Sequence, residues 1–132
     1  MRIHQSAEDY LESILILRER NGQVRSIDIV GELGFTKPSV SVAMKKLREN
    51  GYILTDRDGY ITLTEKGQAV AGRIYERHRV LTDLLIGIGV DQETAAADAC
   101  KIEHHLSDQT FAKIKEHMER HKKDHRPGSG NW

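Results

Sequence analysis

This chain is poor in cysteine, proline and aromatic residues, and it carries no excess of either charge. A single thiol, Cys100, excludes an intrachain disulfide framework and a zinc ribbon, both of which need several cysteines. Aromatics at 5% beside 30% charged residues match helical proteins better than β-sandwiches. Lys plus Arg (20) balances Asp plus Glu (20), so bulk charge draws the chain to neither nucleic acid nor membrane. Any such attraction has to be local. No apolar run approaches the roughly 20 residues of a bilayer span, and Glu8 and Asp9 are out of place in a signal peptide. The expectation is a soluble cytoplasmic protein without membrane contact, and 132 residues suit one domain or two small ones sharing a core.

What is present is an ordered series of helix signals broken once by a change of period. Ser6 is read as the cap of a first helix to about Arg20, with Leu11, Ile14, Leu15 and Leu17 as its buried stripe and Asn21-Gly22 as its stop. Ser26 is read as the cap of a short helix carrying Ile27, Ile29, Val30 and Leu33, ended by Gly34. Thr36 caps a third with Pro38 in its first turn, where a missing N–H costs nothing, and Val40, Met44 and Leu47 give its buried face. Two β-prone runs, Tyr52-Ile53-Leu54-Thr55 and Tyr60-Ile61-Thr62-Leu63, flank Asp56-Arg57-Asp58-Gly59, a hairpin signal. Thr64-Glu65-Lys66-Gly67 opens a long helix through Ile74, His78, Leu81, Leu85 and Ile88, ended by Gly89. Asp91 caps a helix continuing to Leu106, and Ser107 caps a last one bearing Phe111, Ile114 and Met118.

The order predicts a mainly α protein: an N-terminal winged helix-turn-helix over 1–70, then a helical dimerisation domain over 71–126, which the ligand candidates and the resemblance given below make a metal-binding domain as well. A polar tail, 127–132, is expected to be disordered. The last helices carry few large apolar residues, which points to packing on a second copy and hence a symmetric homodimer.

The neutral total hides a basic third helix. Between Phe35 and Arg48 the charges are Lys37, Lys45, Lys46 and Arg48, with no acid, whereas the rest of residues 1–64 is net acidic. Thr36, Ser39 and Val42 present small groups suited to base edges and thymine methyls, with Pro38 setting the first turn. Lys37, Lys45 and Lys46 fall nearer phosphates, and Arg57 sits at the wing tip. Coupled to the hairpin, this reads as an interface for double-stranded operator DNA rather than a merely solvated face.

Six further side chains have the chemistry of transition-metal ligands: Asp9, Glu12, His78, Cys100, Glu103 and His104. Residues 100, 103 and 104, at i, i+3, i+4 spacing on the helix read to Leu106, share one helix face. The competing reading makes Cys100 a small core hydrophobe, His78 a satisfied core histidine, and Glu103 and His104 a polar surface. His117, His121 and His125 follow i, i+4 spacing but read as surface histidines. No Gly-rich phosphate loop, nucleophile elbow or general acid/base pair is present, so neither an enzyme nor a small organic substrate is expected.

Ala7-Glu8-Asp9-Tyr10-Leu11-Glu12, the stretch from Thr36 to Gly51, Leu63-Thr64-Glu65-Lys66-Gly67, Arg77-His78 and Ile102-Glu103-His104-His105-Leu106-Ser107 resemble the diphtheria toxin repressor and manganese transport regulator (DtxR/MntR) family of metal-dependent repressors. The resemblance runs to about residue 120 and is to the short, manganese-type form without a C-terminal SH3-like domain. It implies that the six residues above are the metal ligands, holding one or two ions per subunit. Two departures bear on the ion. Manganese regulators usually carry a carboxylate where this chain has Cys100, and iron regulators usually carry a methionine where it has Asp9. Thr82 and Ala96 also stand where iron regulators place a second metal site. Hard oxygens favour Mn²⁺ and a thiolate favours Fe²⁺ or later metals, so Mn²⁺ is the expected cofactor and Fe²⁺ the alternative. The function expected is metal-activated repression of Mn²⁺ or Fe²⁺ uptake genes, the metal bridging the two domains. A redox-sensing winged-helix repressor using Cys100 is the alternative.

Overall fold

In the computed structural model, residues 5–124 are described, and among them lie six helices and one two-stranded sheet. The expected tail over 127–132 and His125 lie outside the described residues. The chain divides into two compact units, Met1–Arg73 and Ile74–Trp132.

The first unit holds α1 (Gln5–Asn21), α2 (Ser26–Leu33), α3 (Lys37–Glu49), β1 (Ile53–Thr55), β2 (Ile61–Leu63) and the opening turns of α4 (Glu65–Gly87). Leu11, Ile14, Leu15 and Leu17 of α1 are all buried, and Ile29, Val40, Met44, Leu47, Ile53 and Ile61 join them in the core. Gly34 ends α2 in the left-handed region (φ 71°), its N–H bonded to Val30 O. Two residues later Thr36 Oγ1 accepts from Ser39 N at 3.2 Å and starts α3, so the helix-turn-helix is built from one αL glycine and one hydroxyl cap. β1 and β2 pair antiparallel with Ile53 opposite Leu63. Their loop is closed by Asp56, whose Oδ1 accepts from Asp58 N and Tyr60 N, both at 2.9 Å, while Gly59 (φ 86°) supplies the αL turn residue. Arg57 is exposed at its tip.

Where α4 starts, Thr64 Oγ1 donates to Gly51 O (2.6 Å) and accepts from Gly67 N (3.1 Å). Gly67 is needed because a Cβ there would collide with the Tyr52 carbonyl oxygen. The helix thus lies directly on the strand's backbone.

The second unit comprises the rest of α4, α5 (Gln92–Ile102) and α6 (Asp108–Asp124). Asp91 caps α5 by accepting from Thr94 N, and hydrogen bonding from the Thr94 side chain, with this backbone bond second, holds its carboxyl below the usual carboxylate range. Ser107 Oγ does the same for α6 by accepting from Thr110 N. The core is thin, with Ile74, Leu81, Ala95, Ala99, Phe111 and Met118 buried beside Arg77 and Glu103. Ile86, Ile88 and Ile102 are exposed.

Several expected boundaries move. Ser6 lies inside α1, which already includes Gln5. Arg25, not Ser26, is the N-cap of α2, because Asp28 reaches back from inside the helix and its Oδ2 accepts Arg25 N at 2.9 Å. Ile27 faces solvent, and Ile88, expected within the long helix, lies beyond α4 at 72% exposure. The largest correction concerns α5, which ends at Ile102 rather than Leu106. Glu103 keeps helical dihedrals, its N–H on Ala99 O, but His104, His105 and Leu106 form a turn. Residues 100, 103 and 104 therefore do not share one continuous helix.

Candidate metal centre and DNA-binding face

On α1, Asp9 and Glu12 stand three residues apart, Asp9 half-buried and Glu12 buried. On α4, His78 follows Arg77, and on the α5–α6 connection Glu103 precedes His104. Within the second unit three of the six candidate ligands come together. Glu103 is completely buried, its Oε2 2.9 Å from His78 Nδ1 and its Oε1 3.4 Å from His104 Nε2. The latter approach lacks hydrogen-bond geometry, so Oε1 is a buried acceptor with no hydrogen bond. Leaving such an oxygen unsatisfied costs about 1–3 kcal/mol. Cys100 lies in the last turn of α5 and is exposed, which overturns its reading as a small core hydrophobe.

A buried carboxylate oxygen with no hydrogen bond, set beside two imidazoles, fits a divalent cation. The ion would supply the missing positive partner, and the donor set of carboxylate and imidazole suits first-row divalent metals.

The composition-based reading missed a structural role for Arg77. Its side chain is 4% exposed; Nη1 donates to Glu103 O (3.2 Å) and Leu106 O (2.8 Å), and Nη2 pairs with Asp108. The sequence did hold a signal: in α4 a charged residue stands in phase with the buried Ile74 and Leu81.

The other candidate face lies wholly in the first unit. Thr36, Lys37, Pro38, Ser39, Val42, Lys45 and Lys46 are exposed along α3, as are Arg48 and Arg57. Val42 is 55% exposed, an apolar group kept in water on a basic surface. Val40, Met44 and Leu47 anchor the opposite side of the helix, so the polar and basic side is presented rigidly. Among the described residues no helix is long and apolar enough to cross a membrane.

These two features, a winged helix-turn-helix and a carboxylate–imidazole cluster on a separate helical unit, define a class of metal-responsive DNA-binding regulators. Comparison with known proteins identifies the family. The N-terminal DNA binding domain of the iron dependent repressors matches residues 2–61, and their metal binding and dimerisation domain matches residues 64–129. The chain belongs to this family, the DtxR/MntR metal-dependent transcriptional regulators, which are not enzymes. It is 38% identical over 120 residues to an uncharacterised HTH-type transcriptional regulator of Methanocaldococcus jannaschii, covering 89% of this chain and 96% of that one. It is 38% identical over 102 residues to the HTH-type transcriptional regulator MntR of Bacillus subtilis, covering 77% and 72%. Among solved structures it resembles the manganese regulator SloR (TM-score 0.74, 28% identity, 90% of this chain) and a manganese-dependent transcriptional repressor in complex with manganese (TM-score 0.79, 28% identity, 86% of this chain). The chain spans about half the length of those two, 55% and 52%. Nothing in these matches supports a redox switch at Cys100.

Proposed function

We propose that this protein is a manganese-activated repressor of metal-uptake genes, acting as a homodimer on double-stranded operator DNA. The reading assigns residues 1–70 to DNA binding and 71–126 to metal binding and dimerisation. Asp9 and Glu12 from the first, with His78, Cys100, Glu103 and His104 from the second, serve as ligands for one or two ions per subunit. When bound, the cation neutralises carboxylates that repel one another without it. Because the ligands are divided between the two domains, the bridged arrangement holds the DNA-reading domain against the dimerisation domain. Thr36, Ser39 and Val42 then face base edges with Pro38 fixing the turn, while Lys37, Lys45, Lys46 and Arg57 meet phosphates.

The observation that carries this reading is Glu103, a wholly buried carboxylate with one oxygen lacking a hydrogen bond and two imidazoles beside it. Asp9 and the manganese regulators among the relatives favour Mn²⁺. Fe²⁺ is the second reading, carried by the softer donor Cys100.

The test uses duplexes selected from a randomised pool by the Mn²⁺-loaded protein, then fluorescence anisotropy with metal-stripped protein. Mn²⁺ is expected to restore tight binding and EDTA to abolish it. Equal binding after exhaustive chelation refutes the proposal. Activation by Fe²⁺ under anaerobic conditions, with none by Mn²⁺, moves the assignment to iron.

A further inference from the structure

Two consecutive residues of α4 hold the two ends of Glu103. His78 Nδ1 meets its carboxylate at 2.9 Å, and Arg77 Nη1 donates to its backbone carbonyl at 3.2 Å. Arg77 continues along the turn, donating to Leu106 O at 2.8 Å and pairing through Nη2 with Asp108 in the first turn of α6. Its guanidinium carbon lies 5.1 Å from the centroid of the Phe111 ring. Past the end of α5 the Glu103 and Leu106 carbonyls lie on a turn rather than in a continuing helix, and a buried cation with a planar fork of donors satisfies both at once. The helix C-terminus, carrying partial negative charge, favours that cation further.

We propose that Arg77 is a positioning residue for the metal centre: it fixes the turn that presents Glu103 and His104, and joins that turn to α6. This rests on the proposed ligand role of Glu103. Arg77 touches no metal-ligating atom; it acts on the backbone that aims one. With the turn released, the carboxylate remains available but no longer has one fixed position beside His78, and ordering it falls to the cation.

The sign of the effect separates positioning from charge. A guanidinium repels a nearby cation, so its removal strengthens metal binding if electrostatics alone are at work. Positioning predicts the opposite. In Arg77→Met, which keeps an unbranched apolar stem on Phe111, Mn²⁺ affinity of the full chain is expected to fall about 10–100-fold, the range for partners that orient a ligand. Affinity is read by calorimetry at a temperature where circular dichroism shows the metal-free variant folded, which separates this loss from one of stability. Arg77→Lys supplies charge and a single donor head, so its loss is expected to be smaller but measurable. It carries the test if the methionine variant does not fold. Arg79→Met, which removes a cation stacked on Tyr75, is expected to leave affinity unchanged. Wild-type or tighter Mn²⁺ binding by both folded Arg77 variants overturns the inference. Failure of the wild-type chain itself to bind divalent metal overturns instead the ligand reading of Glu103.

Discussion

Replacing Glu103 by glutamine separates a metal ligand from a structural acid. The carboxylate is fully buried, one oxygen engages His78 Nδ1 and the other has no hydrogen bond. Glutamine matches its shape, keeps an oxygen or amide for His78, and removes a buried negative charge. An uncharged amide costs far less to desolvate than a carboxylate. The metal-free variant is therefore expected to be no less stable than wild type, within about 1 kcal/mol, or more stable. The metal-loaded forms should diverge. At a hundred-fold excess over Kd, a ligand that binds only the folded state stabilises it by about 2.7 kcal/mol. For a chain of this size that raises Tm by about 10 °C. Glu103→Gln is expected to lose most of this rise.

Thermal unfolding by circular dichroism, with and without Mn²⁺ at fixed protomer concentration, measures both quantities. The concentration must be fixed because dimerisation also shifts Tm. A variant that keeps the full metal-induced rise refutes the ligand role. One whose metal-free form loses more than about 2 kcal/mol shows Glu103 to be a structural acid, since losses of that size come from breaking buried networks.

The limits of reading this chain follow the distance over which each feature is determined. Thr36, Asp91 and Ser107 were legible as caps because each needs one side-chain oxygen and one N–H three residues on. The hairpin was legible because Asp56 and Gly59 close it locally. Ser26 misled because Asp28, from within the helix, does the reciprocal half of the work. The end of α5 was illegible for a different reason. Ile102 and Leu106 continue the helical spacing, and the turn that interrupts it is gripped by Arg77, whose bonds reach 26 to 31 positions along the chain. The metal candidates were legible as residue types, but the burial of Glu103 against His78 joins positions 25 apart. No local pattern encodes that.

Two further perturbations test the DNA-binding unit. Gly67→Ala is expected to destabilise it by about 1–3 kcal/mol through overpacking, since the added methyl meets the Tyr52 carbonyl and backbone stands on both sides of the contact. The helix-propensity gain of at most about 1 kcal/mol does not offset this, and an unchanged urea midpoint would refute the close approach. Lys46→Ala leaves α3 intact, because what Asn50 bonds at residue 46 is its backbone carbonyl, at 3.0 Å through the Asn50 N–H and 2.8 Å through Nδ2. Its exposed ammonium is then free to act on phosphate alone. Loss of one phosphate contact lowers the slope of log K against log salt by about 0.9, so the variant is less salt-sensitive than wild type. Between 50 and 200 mM salt the affinity gap between the two narrows by about three- to four-fold, and by the same factor on specific and unrelated duplexes. Anisotropy titrations at the two salt concentrations, with metal held saturating, give both numbers. A gap that stays constant with salt, or that opens on one sequence only, places Lys46 at a base edge or away from the DNA, and the phosphate assignment fails.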